Sequence, residues 1–145
     1  MVNILNNSVI NAPLDEVWAI IRDFNGMPKW HPLVIGSKIE NNEPADKVSC
    51  VRVLTNKSGQ KIKEKLLALS DIDHTYSYSI EEATKAPIED FIATMQLLQI
   101  TDGDCTYIEW TAEFDCAPED EEDMVELFST DIFQSGIDAL KDRFN

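Results

Sequence analysis

The sequence predicts an α+β fold: a seven-stranded antiparallel sheet around one long C-terminal helix, with two short helices after the first strand. Three observations carry this. Apolar residues recur at helical spacing in only two regions, just after the first strand and at the end of the chain. The stretch between them consists of runs rich in β-branched and aromatic residues, separated by turn clusters. The apolar stripe at the C-terminal end is also so long that only a whole sheet can cover it.

Val2 to Ile10 reads as the first strand. Pro13 then opens Leu14 to Arg22, where Leu14, Val17, Trp18 and Ile21 share one face behind a proline suited to a first helical turn. Asp23 to Pro32 is dense in breakers and aromatics, and reads as a broken turn or brief second helix. Six further strands are predicted at Ile35 to Glu40, Val48 to Leu54, Lys61 to Leu69, Thr75 to Glu82, Phe91 to Ile100 and Cys105 to Phe114. Clusters such as Asn56-Lys57-Ser58-Gly59 and Thr101-Asp102-Gly103-Asp104 are short connections, which make successive strands antiparallel neighbours. Pro118 and the acidic run Glu119 to Asp123 then start a helix where negative charge favours an N-terminus. Met124, Val125, Phe128, Ile132, Phe133, Ile137, Leu140 and Phe144 form its apolar face, over roughly 25 residues or six turns. No repeat or linker interrupts the chain, so residues 1–145 read as a single domain.

Charge and composition exclude several classes of function. The 145 residues include 12 Lys and Arg against 27 Asp and Glu, a net charge of −15, with 43% hydrophobic residues. A surface this acidic is repelled by phosphate backbones and anionic lipid, so neither nucleic acid nor membrane is an expected partner. The N-terminus lacks the basic flank and apolar run of a signal peptide, and no stretch is long and apolar enough to span a bilayer; a cytoplasmic location is expected. Cys50, Cys105 and Cys116 are odd in number and widely spaced, and read as unpaired thiols rather than metal ligands. There is no phosphate-binding glycine loop, nucleophile elbow or His-Glu-x-x-His helix, so no cofactor and no metal are expected.

Alternation along the strands exposes one anomaly. In Lys61 to Ala68 the lysines share one side while Ile62, Glu64, Leu66 and Ala68 share the other, which points Glu64 inward. On the preceding strand both faces are apolar, so Arg52 can face either way. If it faces inward, the hairpin brings it beside Glu64 with a bulge or diagonal offset. An inward carboxylate without a cation would cost several kcal/mol or take up a proton, whereas an arginine holds it ionised. Such a pair is either a structural ion pair or a polar anchor for a ligand.

The same alternation groups Tyr76, Tyr78 and Ile80, then Phe91, Ala93, Met95 and Leu97, then Ile108, Trp110, Ala112 and Phe114, on inner faces. Most of these are core. A bent sheet around one helix nonetheless leaves room that Tyr, Trp and Met can line, with Phe128 and Ile132 facing it from the helix. Trp30 and His31 lie on the irregular segment beside such a space, with a surface histidine next to a packed Trp as the plainer reading. His74 reads as a turn residue, and Lys57, Lys61, Lys63 and Lys65 as the solvated face of a hairpin.

The segment Val17 to Pro32, together with Cys50-Val51-Arg52, Lys63-Glu64-Lys65-Leu66-Leu67-Ala68-Leu69, Tyr76-Ser77-Tyr78-Ser79-Ile80, Ala93-Thr94-Met95 and Glu109-Trp110-Thr111-Ala112-Glu113-Phe114, resembles the polyketide cyclase/dehydratase-like branch of the Bet v 1-like (START-like, SRPBCC) superfamily. The resemblance spans essentially the whole chain and implies the helix-grip fold with a hydrophobic cavity. Within that branch the sequence is similar to the lachrymatory factor synthases, and this similarity implies an arginine and a glutamate acting on substrate at Arg52 and Glu64. At Phe91 the sequence departs from it by lacking a cavity tyrosine. The expected function is binding of a small hydrophobic molecule with one polar end, anchored by Arg52 and Glu64. The alternative is a cyclase, dehydratase or isomerase in which Glu64 moves a proton and Arg52 stabilises an oxyanion. A third reading gives the acidic surface to a protein partner and fills the cavity with side chains.

Overall fold

The computed structural model describes residues 1–83 and 86–145. Strand β1 (Val2–Ile10) leads into helix α1 (Leu14–Ile21) and a single 3₁₀ turn at Met27–Lys29, which is all that forms of the second short helix. Strands β2 (Val34–Ile39), β3 (Val51–Asn56), β4 (Lys61–Ser70), β5 (Thr75–Ala83), β6 (Glu89–Ile100) and β7 (Cys105–Asp115) follow. The chain ends in α2 (Glu121–Val125), a wide π-helical segment Glu126–Gln134, and α3 (Ser135–Arg143). The seven strands form one antiparallel sheet in the order β1-β7-β6-β5-β4-β3-β2. Turns of four residues join β3 to β4, β4 to β5 and β6 to β7, while α1 lies between the two edge strands β1 and β2 in the chain.

The inner face of the sheet holds the core. Ile108, Trp110, Ala112 and Phe114 of β7 alternate inward, as do Phe91, Ala93, Met95 and Leu97 of β6, and all are buried. Phe128, Phe133, Ile137 and Leu140 close over them from the C-terminal helix.

Three local features depart from the sequence reading. Strand β3 begins at Val51 rather than Val48, because Ser49 adopts φ 79°, which interrupts the extended chain, and Val48 is left exposed. A bulge in β4 between Leu66 and Ala68 reverses the alternation, so Ala68 faces out and Leu69 packs on the core instead, opposite Tyr76. The C-terminal helix, expected to be regular, widens over nine residues in its middle.

Candidate functional site

Arg52 and Glu64 stand directly opposite one another on β3 and β4, without the offset expected from the hairpin. The turn between Asn56 and Lys61 is closed by the Asn56 N–H donating to the Gln60 carbonyl at 3.0 Å. Both side chains point inward; Arg52 is 1% and Glu64 6% exposed. Nε and Nη2 of Arg52 both donate to Oε1 of Glu64, at 2.9 and 2.7 Å, while Nη1 donates to the Phe24 carbonyl at 2.8 Å. The guanidinium also lies 3.9 Å from the Phe24 ring centre and 5.1 Å from that of Tyr78.

This arrangement leaves Oε2 of Glu64 without a hydrogen-bond partner among the described residues. Among the described residues no fully enclosed side-chain oxygen or nitrogen lacks a hydrogen bond, so Oε2 is not fully enclosed. Beside Glu64 is a pocket of about 300 Å³, near the lower end of the usual range for small-molecule sites. Glu64 lines it; Arg52 sits behind Glu64 and does not. Burial pushes the Glu64 carboxyl above its ordinary range, and Arg52 pulls it back.

Tyr78 reaches the same pocket from β5, and its hydroxyl accepts a hydrogen bond from Nε1 of Trp110 at 3.1 Å. Burial raises the Tyr78 phenol well above its usual value, so the hydroxyl keeps its proton. His31, 2% exposed, completes this part of the wall. Burial first, and then the nearby Arg52 charge, lower its pKa, so the ring is neutral and its tautomer is fixed by its partners. Nε2–H donates to the Ile132 carbonyl at 2.7 Å, and Nδ1 accepts from the Leu33 N–H at 3.2 Å. Gly136 makes this approach possible: a Cβ there would lie 2.7 Å from the imidazole and 3.0 Å from the Trp110 ring. Among the described residues no cluster of His, Cys, Asp and Glu could hold a metal ion. No described helix is long and apolar enough to cross a membrane.

The fold and the pocket can be set beside a family model that matches the sequence from residue 1 to residue 145, that for polyketide cyclase/dehydrase and lipid transport proteins. The chain belongs to this family. Among solved structures it is similar to the protein XoxI from Bacillus cereus, with 28% identity, a TM-score of 0.88, and 99% of this chain and 96% of that one covered. A Bacillus thuringiensis protein matches with 27% identity, a TM-score of 0.87 and coverage of 99% and 98%. Norcoclaurine synthase from Thalictrum flavum shares the fold, with 17% identity, a TM-score of 0.75 and coverage of 99% and 93%. A search of curated proteins gives no match.

In this member of the polyketide cyclase/dehydrase and lipid transport family, the pocket wall includes Glu64, His31, Tyr78, Phe91, Trp110, Phe128 and Ile132 from the residues singled out in the sequence. The other candidates lie outside the wall. Trp30 packs its ring against His31 and Trp110, at 5.6 and 6.0 Å. Tyr76 sits between Phe24 and Tyr78, at 6.1 and 6.0 Å, and Met95 is wholly buried opposite Trp110. Sequence reasoning passed over Leu54, Ile62, Met124, Leu127 and Phe133, together with Asn56 and Gln60 at the solvent side of the pocket. Leu54 and Ile62 were legible as the inward neighbours of Arg52 and Glu64. Phe133 was read as part of the helix's apolar face but not as pocket wall, which it shares with Phe128 on the widened segment.

Proposed function

We propose that this chain binds a small, largely apolar molecule in the pocket and anchors its one polar end at Glu64. The observation that carries this reading is that Oε1 of Glu64 is taken twice by Arg52 while Glu64 itself lines the pocket, which leaves Oε2 for a ligand. Arg52 fixes the position and charge of Glu64, and Oε2 accepts from a hydroxyl or N–H of the ligand. The aromatic and aliphatic wall supplies affinity through burial at about 25 cal/mol per Å², and family membership in a group of cyclases, dehydrases and lipid carriers agrees with an apolar ligand.

A second reading makes the pocket a cofactor-free cyclase, dehydratase or isomerase site. It is favoured by the raised pKa of Glu64, which brings the carboxyl closer to the range useful for proton transfer, and by the Tyr78 hydroxyl on the same wall. Here Glu64 abstracts or returns the proton. Arg52, lying behind it, acts through Glu64, so the oxyanion donor has to come from the wall itself.

Native mass spectrometry of the protein purified from its host, followed by extraction, tests the first reading. A bound apolar molecule with one oxygen- or nitrogen-bearing end supports it, and Glu64→Gln should then weaken binding modestly. For the second reading, Glu64→Gln should leave binding of the extracted compound nearly intact while slowing its conversion on the order of a hundredfold or more. A filled interior that takes up no apolar compound contradicts both.

A further inference from the structure

The wide segment of the C-terminal helix lies directly over the pocket, and Leu127, Phe128, Ile132 and Phe133 on it line the wall. π-helical geometry is rare and concentrates at functional sites. Here it has a specific geometric effect. Residues five apart in an α-helix stand about 140° apart around the axis, but with i→i+5 bonding and about 4.4 residues per turn the separation falls to about 50°. Phe128 and Phe133 are five apart, and the wide turn brings both to the sheet. Phe128 packs on Phe91 with ring centres 4.7 Å apart, and Phe133 stacks on Trp110 at 4.3 Å and 12°.

Three carbonyls of this segment receive a side-chain donor. Nδ2 of Asn6, on the inner face of β1, donates to the Ser129 carbonyl at 3.1 Å and to Oε1 of Gln134 at 3.0 Å, and the Ser129 hydroxyl returns a bond to Oδ1 of Asn6 at 3.0 Å. The Ser135 hydroxyl donates to the Thr130 carbonyl at 3.4 Å. The Ile132 carbonyl accepts from His31 as well as from the Ser135 N–H. Asn6 and Ser8 interrupt an inner face of β1 that is otherwise Val2, Ile4 and Ile10. Asn6 reaches the helix from the β1 edge of the sheet, while His31 reaches it from the segment before β2. Carbonyls of an α-helix or a π-helix interior already accept from an N–H of the helix itself, so these side-chain donors are additional bonds, and they tie the segment to two separate elements at the place where it is wide.

We infer that Asn6 and His31 are positioning residues that hold the C-terminal helix wide above the pocket, and that this wide turn sets the size of ligand the pocket accepts. The inference rests on the proposed binding function for its second half only. The test uses two probes of different bulk, 1-naphthol and 8-anilinonaphthalene-1-sulfonate, and two variants. Asn6→Ala removes one set of donors; deletion of Thr130, an exposed residue of the segment, restores α-helical phase between the two phenylalanines. In each folded variant the ratio of the two affinities should change by about fivefold or more relative to the parent, and NMR couplings across the hydrogen bonds should move from i→i+5 to i→i+4 over Glu126–Gln134. An unchanged ratio with a shifted helix overturns the role in selectivity. An unchanged i→i+5 pattern in Asn6→Ala overturns the positioning role, even if the parent binds neither probe, a result that would count against the binding function itself.

Discussion

Arg52 gives two hydrogen bonds to a single oxygen of Glu64, so the buried ion pair is one-sided. Removing one partner of a buried pair typically costs about 3–5 kcal/mol, because the other charge is left uncompensated. Arg52→Met should therefore destabilise the fold by about that amount in urea unfolding, and the double variant Arg52→Met with Glu64→Leu should recover most of the loss. A double variant as unstable as the single would show that the pairing is not what the cost reflects.

His31 makes stability depend on pH with a definite sign. Its folded pKa is depressed below the ordinary 6.5, chiefly by burial, so the folded state takes up the proton less readily than the unfolded chain. Its contribution is complete above 6.5 and is lost as the pH falls through its lowered folded value. Between about pH 7.5 and about pH 5.5 the parent should lose more unfolding free energy than His31→Gln. Parallel pH profiles for the two proteins would contradict the assignment.

Gly136→Ala sets two effects of opposite sign against each other. Alanine gains up to about 1 kcal/mol of helix propensity over glycine. The new methyl would, however, stand 2.7 Å from the His31 ring and 3.0 Å from that of Trp110, both held by packing, and overpacking of that kind costs about 1–3 kcal/mol. The melting temperature should fall, and weaker probe binding should accompany it because the imidazole must shift.

Tyr78→Phe should leave the shape of the pocket nearly unchanged and strand the Trp110 N–H, which is wholly buried and donates to the Tyr78 hydroxyl. An unsatisfied buried donor costs about 1–3 kcal/mol. Chemical denaturation should show this loss, and the Trp110 indole N–H resonance should move toward the position of a group without an acceptor.

The architecture was legible because strand alternation and turn clusters are local signals, and the seven strands and C-terminal helix follow from them. Glu64 was legible for the same reason, as a carboxylate in an apolar alternation. Arg52 was not placed by pattern, because both faces of its strand are apolar; the inward choice is set by Glu64 across the hairpin. The departure at Ala68 has no local mark, since a bulge depends on how neighbouring strands twist. The widened helix was hidden as well: Met124, Phe128 and Ile132 fit an α-helical stripe on their own, and the side chains that bond its widened segment, Asn6 and His31, lie over 100 residues away in sequence.

In the proposed binding mode an apolar molecule lies in the pocket with its polar end at Glu64. The most direct test compares the affinities of naphthalene and 1-naphthol for the parent protein by calorimetry, two molecules of nearly equal apolar surface that differ by one hydroxyl. A hydrogen bond to a charged group contributes about 1.5–3 kcal/mol, so 1-naphthol should bind at least about tenfold more tightly, and Glu64→Leu should remove the preference. Equal affinity of the two compounds for the parent would contradict the account.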